Sequence, residues 1–465
     1  KLMLKLFKLP DKLVKYSIAL LLLAIPLYPK FPFARISGTY VSIRLEDFLL
    51  LLVAIILLVK YFPRFVSVFK GGVERSVILY LGVGLVSLIS GIFLTQTVQP
   101  HIGLLHWIRR IEYFIPFFLG LMYFKDNKPK SLDFFIKVLI VGVTMIFLYG
   151  LGQKYLSWPV IITQNSEYSK GVALRWIPGS HINSTFAGHY DLSSYLVLIL
   201  PLFVALFFLL EGLWAKITLS GVIFFGLWLL ANAVSRISVV SYLLASSLSL
   251  FLLKKYKEIP LVLIASLLIF SFSSNLIARY TQIIEVMYQK TKQNLKINYD
   301  LHGLNVYAQD NVEVPKRRET SKSVSKPLSI FEDRSTSIRL NVEWPRAIRA
   351  FSKNPILGTG YSSITLATDN DFLRLLGEVG IIGFSVFILI FFNIAKLAVG
   401  VLKNISKTSG IEKGFLISYI AALPAVMLNA FFIDIFEASK FAIIFWLITG
   451  IFVSLARNTI YEENS

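Results

Sequence analysis

Long apolar runs recur along the chain and alternate with short polar loops. A run of about 20 apolar residues is long enough for a helix to cross the hydrocarbon core of a bilayer. The pattern therefore predicts an all-α fold, a polytopic helical membrane protein with about twelve transmembrane helices. The predicted spans are 13–28, 45–61, 77–94, 106–123, 132–150, 192–210, 216–234, 237–253, 259–276, 371–395, 412–431 and 438–455.

These spans predict three parts of the chain. Residues 1–276 would hold transmembrane helices 1–9 and an external loop over residues 150–191. Residues 277–370 would form a large external loop between helices 9 and 10, and residues 371–465 would hold helices 10–12. We expect the polar middle of the large loop, Lys290–Ser335, to be a poorly ordered insertion, because loops longer than about 15 residues are usually functional or disordered.

Composition agrees with a membrane protein. Only 16% of the residues are charged, whereas soluble proteins average about 25%. The net charge of +20 could indicate a nucleic-acid partner, but no recognition motif accompanies it, so we expect no nucleic acid. A cytoplasmic excess of Lys and Arg explains the charge instead. The chain has no cysteine, which excludes disulfides and Cys-based metal sites.

The distribution of Lys and Arg among the loops predicts the orientation. Five lysines before residue 16 place the N-terminus inside. Alternation then places the basic loops after spans 2, 4, 8 and 10 inside and the loop Thr95–His101, which lacks Lys and Arg, outside. We therefore expect a multi-pass protein of the cytoplasmic (inner) membrane with both termini cytoplasmic. We interpret Leu13–Leu27 as a retained anchor because no small-residue cleavage site follows it.

Several arginines lie on the predicted outer side. Arg44 stands in an external loop, against the usual bias. Arg236 either extends to the membrane interface from the start of its helix or binds a phosphate, for which its planar guanidinium is suited. Arg109 and Arg110 either form a local ion pair with Glu112 or provide a further anion contact.

The segment 180–191, SHINSTFAGHYD, is rich in hydrogen-bonding groups. Asp191 or Ser193 could cap the helix Leu192–Leu210, or His189 could transfer a proton at the membrane entry. His181 and His189 are not spaced like a metal-binding pair on one helical turn, so we predict no metal site.

The stretch Arg339–Gly383 concentrates polar groups where the chain enters the membrane. Its notable residues are Arg339, Trp344, Arg346 and Arg349, the turn PILGTG over 355–360, and the run Thr368, Asp369, Asn370 and Asp371. Farther along, the loop between the last two spans carries Asp434, Glu437 and Lys440, which we expect to neutralise one another.

The spacing between Asn370 and the glycines that follow it is distinctive. Nine residues separate Asn370 from Gly380-Ile-Ile-Gly383. This resembles the signature of the O-antigen ligase and O-antigen polymerase superfamily, in which His-Asn, nine residues and Gly-x-x-Gly follow the last large external loop. Asp369 stands where that family has its His.

Three further motifs resemble the same family in order. Arg339, Trp344 and the run Pro355–Gly360 are similar to its Arg…Trp…Pro-x-x-Gly-x-Gly pattern. Ser235-Arg236 is similar to its Ser-Arg opening of a span, although Val240 replaces the expected Leu. The block 184–188, STFAG, is similar to its Gly-Thr-Phe-Gly-Asn block.

The resemblance implies a metal-independent, inverting membrane glycosyltransferase. Its donor would be a glycan on undecaprenyl pyrophosphate and its acceptor a hydroxyl of a glycan or lipid, for ligation or polymerisation of surface polysaccharide among membrane lipids. No cofactor is expected, because the diphosphate already activates the donor. Arg236 and Arg339 would stabilise the leaving diphosphate, and Asp369 would take the role of the family His. The expected substrate-binding residues are Asn370, His189, Arg110, Arg44 and Arg346.

Two alternatives remain open from the sequence. Nearby arginines should lower the pKa of Asp369 and make it a weak base, so His189 or Glu378 could supply the base instead. A lipid-linked saccharide transporter or flippase would also have about twelve spans, but it predicts charges at mid-membrane depth and broken helices in paired halves.

Overall fold

The computed structural model describes residues 10–29, 32–35, 42–62, 69–126, 131–160, 175–273, 277, 280–281, 288, 337–365 and 367–461. The helices are α1 Asp11–Leu27, α2 Leu45–Tyr61, α3 Gly72–Phe93, α4 Pro100–Asp126, α5 Leu132–Tyr155, α6 His189–Leu209, α7 Leu213–Ala233, α8 Arg236–Leu252, α9 Glu258–Ser271, α10 Trp344–Lys353, α11 Asp371–Asn404, α12 Gly410–Ala430 and α13 Ser439–Tyr461. A π turn, Arg339–Glu343, precedes α10, and a 3-10 turn, Ile405–Lys407, follows α11.

The helices confirm an all-α, polytopic membrane fold. Each predicted span overlaps a helix, but the bounds differ by up to nine residues: α4 begins six residues earlier than predicted, and α11 ends nine residues later. Among the described residues, seven helices are long and apolar enough to cross a membrane: α3, α5, α6, α7, α11 with its 3-10 turn, α12 and α13. The total of twelve spans and the three-part division of the chain stay predictions. The predicted insertion Lys290–Ser335 lies outside the described residues.

A small antiparallel hairpin was not predicted. Strand β1, Pro32–Arg35, pairs with β2, Ser42–Arg44, and β2 runs directly into α2. The hairpin connects α1 to α2 at one end of the helix bundle.

Contacts between helix ends show that α13 runs antiparallel to α1 and α3. At one end, Lys440 at the start of α13 donates to Pro26 O near the end of α1, 2.9 Å away. At the other end, Arg457 near the end of α13 pairs with Glu74 in the first turn of α3, at 2.5 and 2.7 Å. We call the end that holds Lys440 the site end of the bundle, because the candidate residues lie there.

Helix α13 forms the centre of the bundle, and its apolar span is wholly buried. It packs on α4 with close backbone approach. A Cβ atom on Gly120 would lie 2.7 Å from Leu447 O, and one on Gly450 would collide with Phe117 O. Small residues at such crossings allow helices in membranes to approach closely.

Helix α11 is interrupted at Gly380, where φ is 64° and ψ is −172°. Backbone groups freed in an apolar environment need internal partners, and the turn 355–360 supplies them. The hydrogen bonds run from Thr359 N to Gly377 O (2.9 Å), from Gly360 N to Glu378 O (2.8 Å) and from Ile381 N to Pro355 O (2.8 Å). A Cβ atom on Gly380 would lie 2.5 Å from Gly358 N. The break therefore joins the PILGTG turn to the Gly-x-x-Gly motif.

Candidate functional site

Arg339 and Asp369 form an ion pair at the site end of the bundle. Arg339 Nε and Nη2 lie 3.0 and 2.9 Å from Asp369 Oδ2. The guanidinium also donates to the hydroxyl of Tyr190, 3.5 Å away in the first turn of α6. Both side chains keep partial exposure, at 12% for Arg339 and 24% for Asp369. The pair therefore presents charge at a surface that a ligand can reach.

The backbone at Asp369 is held in the left-handed region, with φ at 48°. Asp and Asn tolerate this region better than most residues. Asp434, from the loop between α12 and α13, holds the segment on both sides. Its carboxylate accepts from Thr368 N at 2.7 Å and from Asn370 N at 2.9 Å. The turn thus aims the Asp369 side chain at Arg339.

Asn370 caps α11, since its Oδ1 accepts from Leu373 N at 2.9 Å. The next residue, Asp371, is buried and accepts from Ile435 N at 2.8 Å and from Phe436 N at 3.2 Å. Together with Asp434 it joins the start of α11 to the loop after α12. The predicted substrate contact of Asn370 stays a prediction beside this structural role.

The expected low pKa of Asp369 is wrong in direction. Burial raises the pKa of this carboxyl above its ordinary value, Arg339 opposes the rise, and the charge of Asp434 adds to it. The sequence argument counted the arginine and missed both the desolvation and the second carboxylate. Asp369 is therefore a stronger proton acceptor than the sequence suggested.

Glu343 is a residue that the sequence argument missed. It ends the π turn that begins at Arg339. Burial, with the charges of Asp369 and Asp434, raises the pKa of Glu343 to about 7, while Arg339 and Arg346 act in the opposite direction. Its Oε2 is buried and has no hydrogen-bond partner among the described residues. A carboxylate four residues after Arg339, next to Trp344, was the signal in the sequence.

Arg346 lies on α10 near Glu343, as its effect on the Glu343 carboxyl shows. Its Nη1 atom is buried without a hydrogen-bond partner among the described residues, as is Trp344 Nε1. Unpaired buried donors of this kind call for an explanation, and a bound anion or sugar hydroxyl would satisfy them.

His189 is the first residue of α6, next to Tyr190. Its ring lies 4.3 Å from that of His181 and 4.1 Å from that of Tyr190, between centroids. The expected cap by Asp191 or Ser193 is wrong, because α6 begins earlier, with Gly188 at the cap position. His189 is therefore linked to Arg339 by way of Tyr190, whose ring contacts His189 and whose hydroxyl accepts from Arg339.

Arg236 begins α8, and hydrogen bonds connect this end of α8 to α6 and α12. Ser238 and Ser194 each bond to Asn429 Nδ2 at 3.2 Å. Arg236 thus lies at the site end, on a helix fixed to the one that carries Tyr190. The structure shows no direct contact between Arg236 and Arg339 among the bonds it describes.

Arg110 lies in a buried ion network rather than beside Arg339. It pairs with Glu437, donates to Phe436 O at 3.2 Å and packs over the Tyr361 ring at 5.4 Å. Arg374 completes the network, 3.2 Å from Asp434, 3.5 Å from Glu437 and 3.6 Å from Glu378. We call these residues the inner network: Arg110, Arg374, Glu378, Asp434 and Glu437.

The inner network shows that Asp434, Glu437 and Lys440 do not neutralise one another as expected, and it contains the alternative base Glu378. Asp434 and Glu437 are neutralised by arginines of α4 and α11, so the loop does not depend on its own charges, and Lys440 donates to Pro26 O and to Thr185 O. Burial raises the pKa of Glu437, but Arg110 and Arg374 outweigh it and hold that pKa below its usual range. Glu378, the alternative base, pairs with Arg374 inside this network.

Arg44 is also committed to structural contacts. Its side chain is buried and lies 3.2 Å from Glu46, and its N–H donates to Asp47 at 2.9 Å at the start of α2. The neighbouring Arg109 pairs with Asp47 and Glu112, at 3.0 and 3.3 Å. These contacts fit the local ion-pair interpretation of Arg109, and the predicted substrate contact of Arg44 stays a prediction.

Part of the chain matches a known protein family. Residues 219–388, which run from within α7 to within α11, match the family described as O-antigen ligase. The range includes Arg236, Arg339 and Asp369, whereas the 184–188 block and His189 precede it. No curated protein matches the chain. The match confirms the resemblance indicated by the motifs: this polytopic helical membrane protein is similar to the O-antigen ligases over the part of the chain that carries its Arg339–Asp369 pair.

Proposed function

We propose that the protein is a membrane glycosyltransferase of the O-antigen ligase type. It transfers a glycan from undecaprenyl pyrophosphate to an acceptor hydroxyl, in ligation or polymerisation of surface polysaccharide. The reaction takes place at the site end of the bundle, on the outer face of the cytoplasmic membrane, in a protein with twelve spans and both termini inside. It inverts the anomeric centre and needs no metal.

One observation carries this proposal. Two residues 30 positions apart, Arg339 and Asp369, meet at 2.9–3.0 Å with partial exposure, inside the range that matches the O-antigen ligases. A guanidinium that remains accessible is suited to bind a diphosphate, since its planar fork can donate two parallel hydrogen bonds. The adjacent carboxylate is suited to hold a sugar hydroxyl.

The chemistry requires stabilisation of the leaving group. When the bond between the anomeric carbon and the diphosphate oxygen breaks, negative charge develops on the diphosphate. Arg339 and Arg236 stabilise that charge, and such preorganised charges act most strongly where water is largely excluded. Asp369 orients the acceptor hydroxyl for attack on the opposite face of the sugar. Asn370, His189 and Arg346 are the proposed substrate-binding residues, whereas the predicted substrate contacts of Arg110 and Arg44 stay predictions beside their buried ion pairs.

A second candidate is movement of the lipid-linked glycan across the membrane. One observation favours it: α11 is interrupted at Gly380, and interrupted helices are typical of secondary transporters. In this protein, however, the freed backbone groups bind the turn 355–360. The break therefore fixes a loop in place, and the transferase is the function that the geometry supports better.

The experiment uses purified protein in nanodiscs with an undecaprenyl-pyrophosphate glycan, candidate acceptors, EDTA and no nucleotide. The proposal predicts release of undecaprenyl pyrophosphate together with glycan on an acceptor, and a change of acceptor then distinguishes ligation from polymerisation. Intact donor that crosses a liposome bilayer would support the transporter instead. A reaction that EDTA abolishes and a divalent cation restores would contradict metal independence.

A further inference from the structure

The side chain of Glu343 faces the same surface as the Arg339–Asp369 pair. Two contacts define the face of the π turn and α10 that meets α11. Arg339, at the start of the π turn, binds Asp369 just before α11. Ala347 is fully buried, and a Cβ atom on Gly377 of α11 would lie 3.1 Å from Ala347 O. Glu343 stands four residues from each, so it shares their face and points toward the start of α11.

The π turn itself is a marker of function. Trp344 N donates to Arg339 O, five residues back, in place of the usual α-helical bond. Isolated π turns of this kind occur often at functional sites. Here the turn aligns two charged side chains, Arg339 and Glu343, along one surface.

The two carboxylates in this surface are engaged differently. Asp369 Oδ2 accepts a hydrogen bond from Arg339 Nε and lies 2.9 Å from Arg339 Nη2. Glu343 Oε2 is buried and has no hydrogen-bond partner among the residues that the structure describes. An acceptor atom without a donor is suited to receive a hydroxyl group, whereas the Asp369 oxygen already neutralises the arginine.

We propose that Glu343 is the catalytic base that accepts the proton of the attacking hydroxyl, an inference that rests on the proposed transferase function. The acceptor oxygen bonds to the anomeric carbon as the bond from that carbon to the diphosphate oxygen breaks. The electron pair of the broken bond leaves with the diphosphate, and the hydroxyl proton passes to Glu343 Oε2. Asp369 then serves to position the hydroxyl and Arg339.

The electrostatic surroundings support this role. The charged groups that act on Glu343 are Arg339 and Arg346 on its own segment, Asp369 before α11, and Asp434 from the loop after α12. Burial and the two aspartates raise the pKa of Glu343 to about 7. A general base works best when its pKa lies near the operating pH, and it typically contributes a factor of about 10² to 10⁴.

The test compares the pH dependence of kcat/KM for the wild type and Glu343→Gln in nanodiscs, with Glu258→Gln at the opposite end of the bundle as control. We expect the wild-type value to fall as pH drops below about 7, because the base becomes protonated. At high pH, kcat/KM of Glu343→Gln should be about 100-fold below that of the wild type, and the fall at low pH, which we call the acidic limb, should be absent. Glu343→Asp should recover part of the rate and part of the acidic limb. Glu258→Gln should match the wild type.

Each other outcome has a distinct meaning. Wild-type rates for Glu343→Gln, or a reduced rate that keeps the wild-type acidic limb, would overturn the role of Glu343 and leave the transferase standing. If Glu343→Gln fails to fold, as its thermal unfolding would show, the wild-type profile decides, since the absence of an acidic limb near pH 7 would overturn the role. An inactive wild type would reject the transferase function itself.

Discussion

Two groups of arginines and carboxylates lie at the same end of the bundle, and they differ in how deeply their ion pairs are buried. In the inner network Arg374 alone meets Asp434, Glu437 and Glu378 and donates to Ile364 O. In the Arg339 group Arg339 and Asp369 remain 12% and 24% exposed, whereas Arg374 and Glu378 of the inner network are only 4% and 2% exposed. The same chemical groups thus serve as structure in one place and as a candidate site in the other.

The difference teaches that charge alone does not identify a membrane-protein site. From the sequence, Arg110 and Arg44 were predicted to bind substrate, as Arg339 was predicted to bind the diphosphate. In the structure both are buried in ion pairs. A buried pair is costly to break, because the remaining partner is left charged in an apolar environment. Whether an ion pair can bind a ligand therefore depends on whether its side chains remain accessible.

The largest effect is expected from the inner network. Arg374→Ala should destabilise the fold by about 3–5 kcal/mol, because Asp434, Glu437 and Glu378 would lose their shared cation in the interior. Thermal unfolding in detergent measures the loss. Arg349→Ala, at an exposed position of α10, is the control and should leave the unfolding midpoint unchanged. A stable Arg374→Ala would show that the network is not structural.

Arg236→Ala should leave the fold intact and reduce transfer by about 10²–10³-fold, because the leaving diphosphate loses a cation. Arg236→Lys should keep part of the rate, since the charge remains without the fork geometry. Initial rates of glycan transfer measure the effect, and the exposed Arg175→Ala controls for lost surface charge at the same end. Normal turnover in Arg236→Ala would show that α8 does not contribute to the site.

Asp369 and Asp371 lie two positions apart in sequence, but Asp369 pairs with Arg339 whereas Asp371 accepts backbone hydrogen bonds from the loop after α12. Asp369→Asn should reduce transfer by roughly 100-fold and leave stability unchanged, because it weakens the hold on Arg339 and on the acceptor. Asp371→Asn should cost about 1–2 kcal/mol of stability, because the hydrogen bonds from Ile435 and Phe436 lose the charge of the carboxylate and one of its two acceptor oxygens. Transfer rate per folded molecule and the unfolding midpoint distinguish them, and the reverse order would show that the signature was misaligned.

The smallest effect concerns the connection between α6 and Arg339. Tyr190→Phe removes a weak hydrogen bond of 3.5 Å and should lower transfer only a few-fold, in line with roughly 0.5–1 kcal/mol. Tyr195→Phe on the same helix is the matched control, because the Tyr195 hydroxyl is buried with no hydrogen-bond partner within the described chain. Equal transfer rates for both variants would show that the Tyr190 hydroxyl does not contribute to the site.

Much of the fold was predictable because apolar length encodes it locally. Each predicted span contains a helix, and the segment Arg339–Gly383 proved to hold the paired ions. The β1–β2 hairpin and the break at Gly380 were not predictable in the same way, because each depends on a partner segment. The break requires the turn 355–360, and the roles of Asp371 and Asp434 require backbone groups about 64 residues away.

The site was predictable only in part for a related reason. The motifs selected Arg339 and Asp369, but the pKa of Asp369 depends on burial and on Asp434, which the sequence does not place nearby. Glu343 belongs to no motif that resembles the family, and its face became evident only from the contacts of Arg339 and Ala347. The sequence thus predicts which residues are polar, and packing decides which of them are satisfied.

The most direct test of the central claim is the transfer rate of Arg339→Ala at equal amounts of folded protein. Arg339 contacts both Asp369 and Tyr190, and it would face the leaving diphosphate. The account predicts a loss of at least about 100-fold with an unchanged unfolding midpoint, and partial activity in Arg339→Lys. A rate within a factor of about two of the wild type would contradict it.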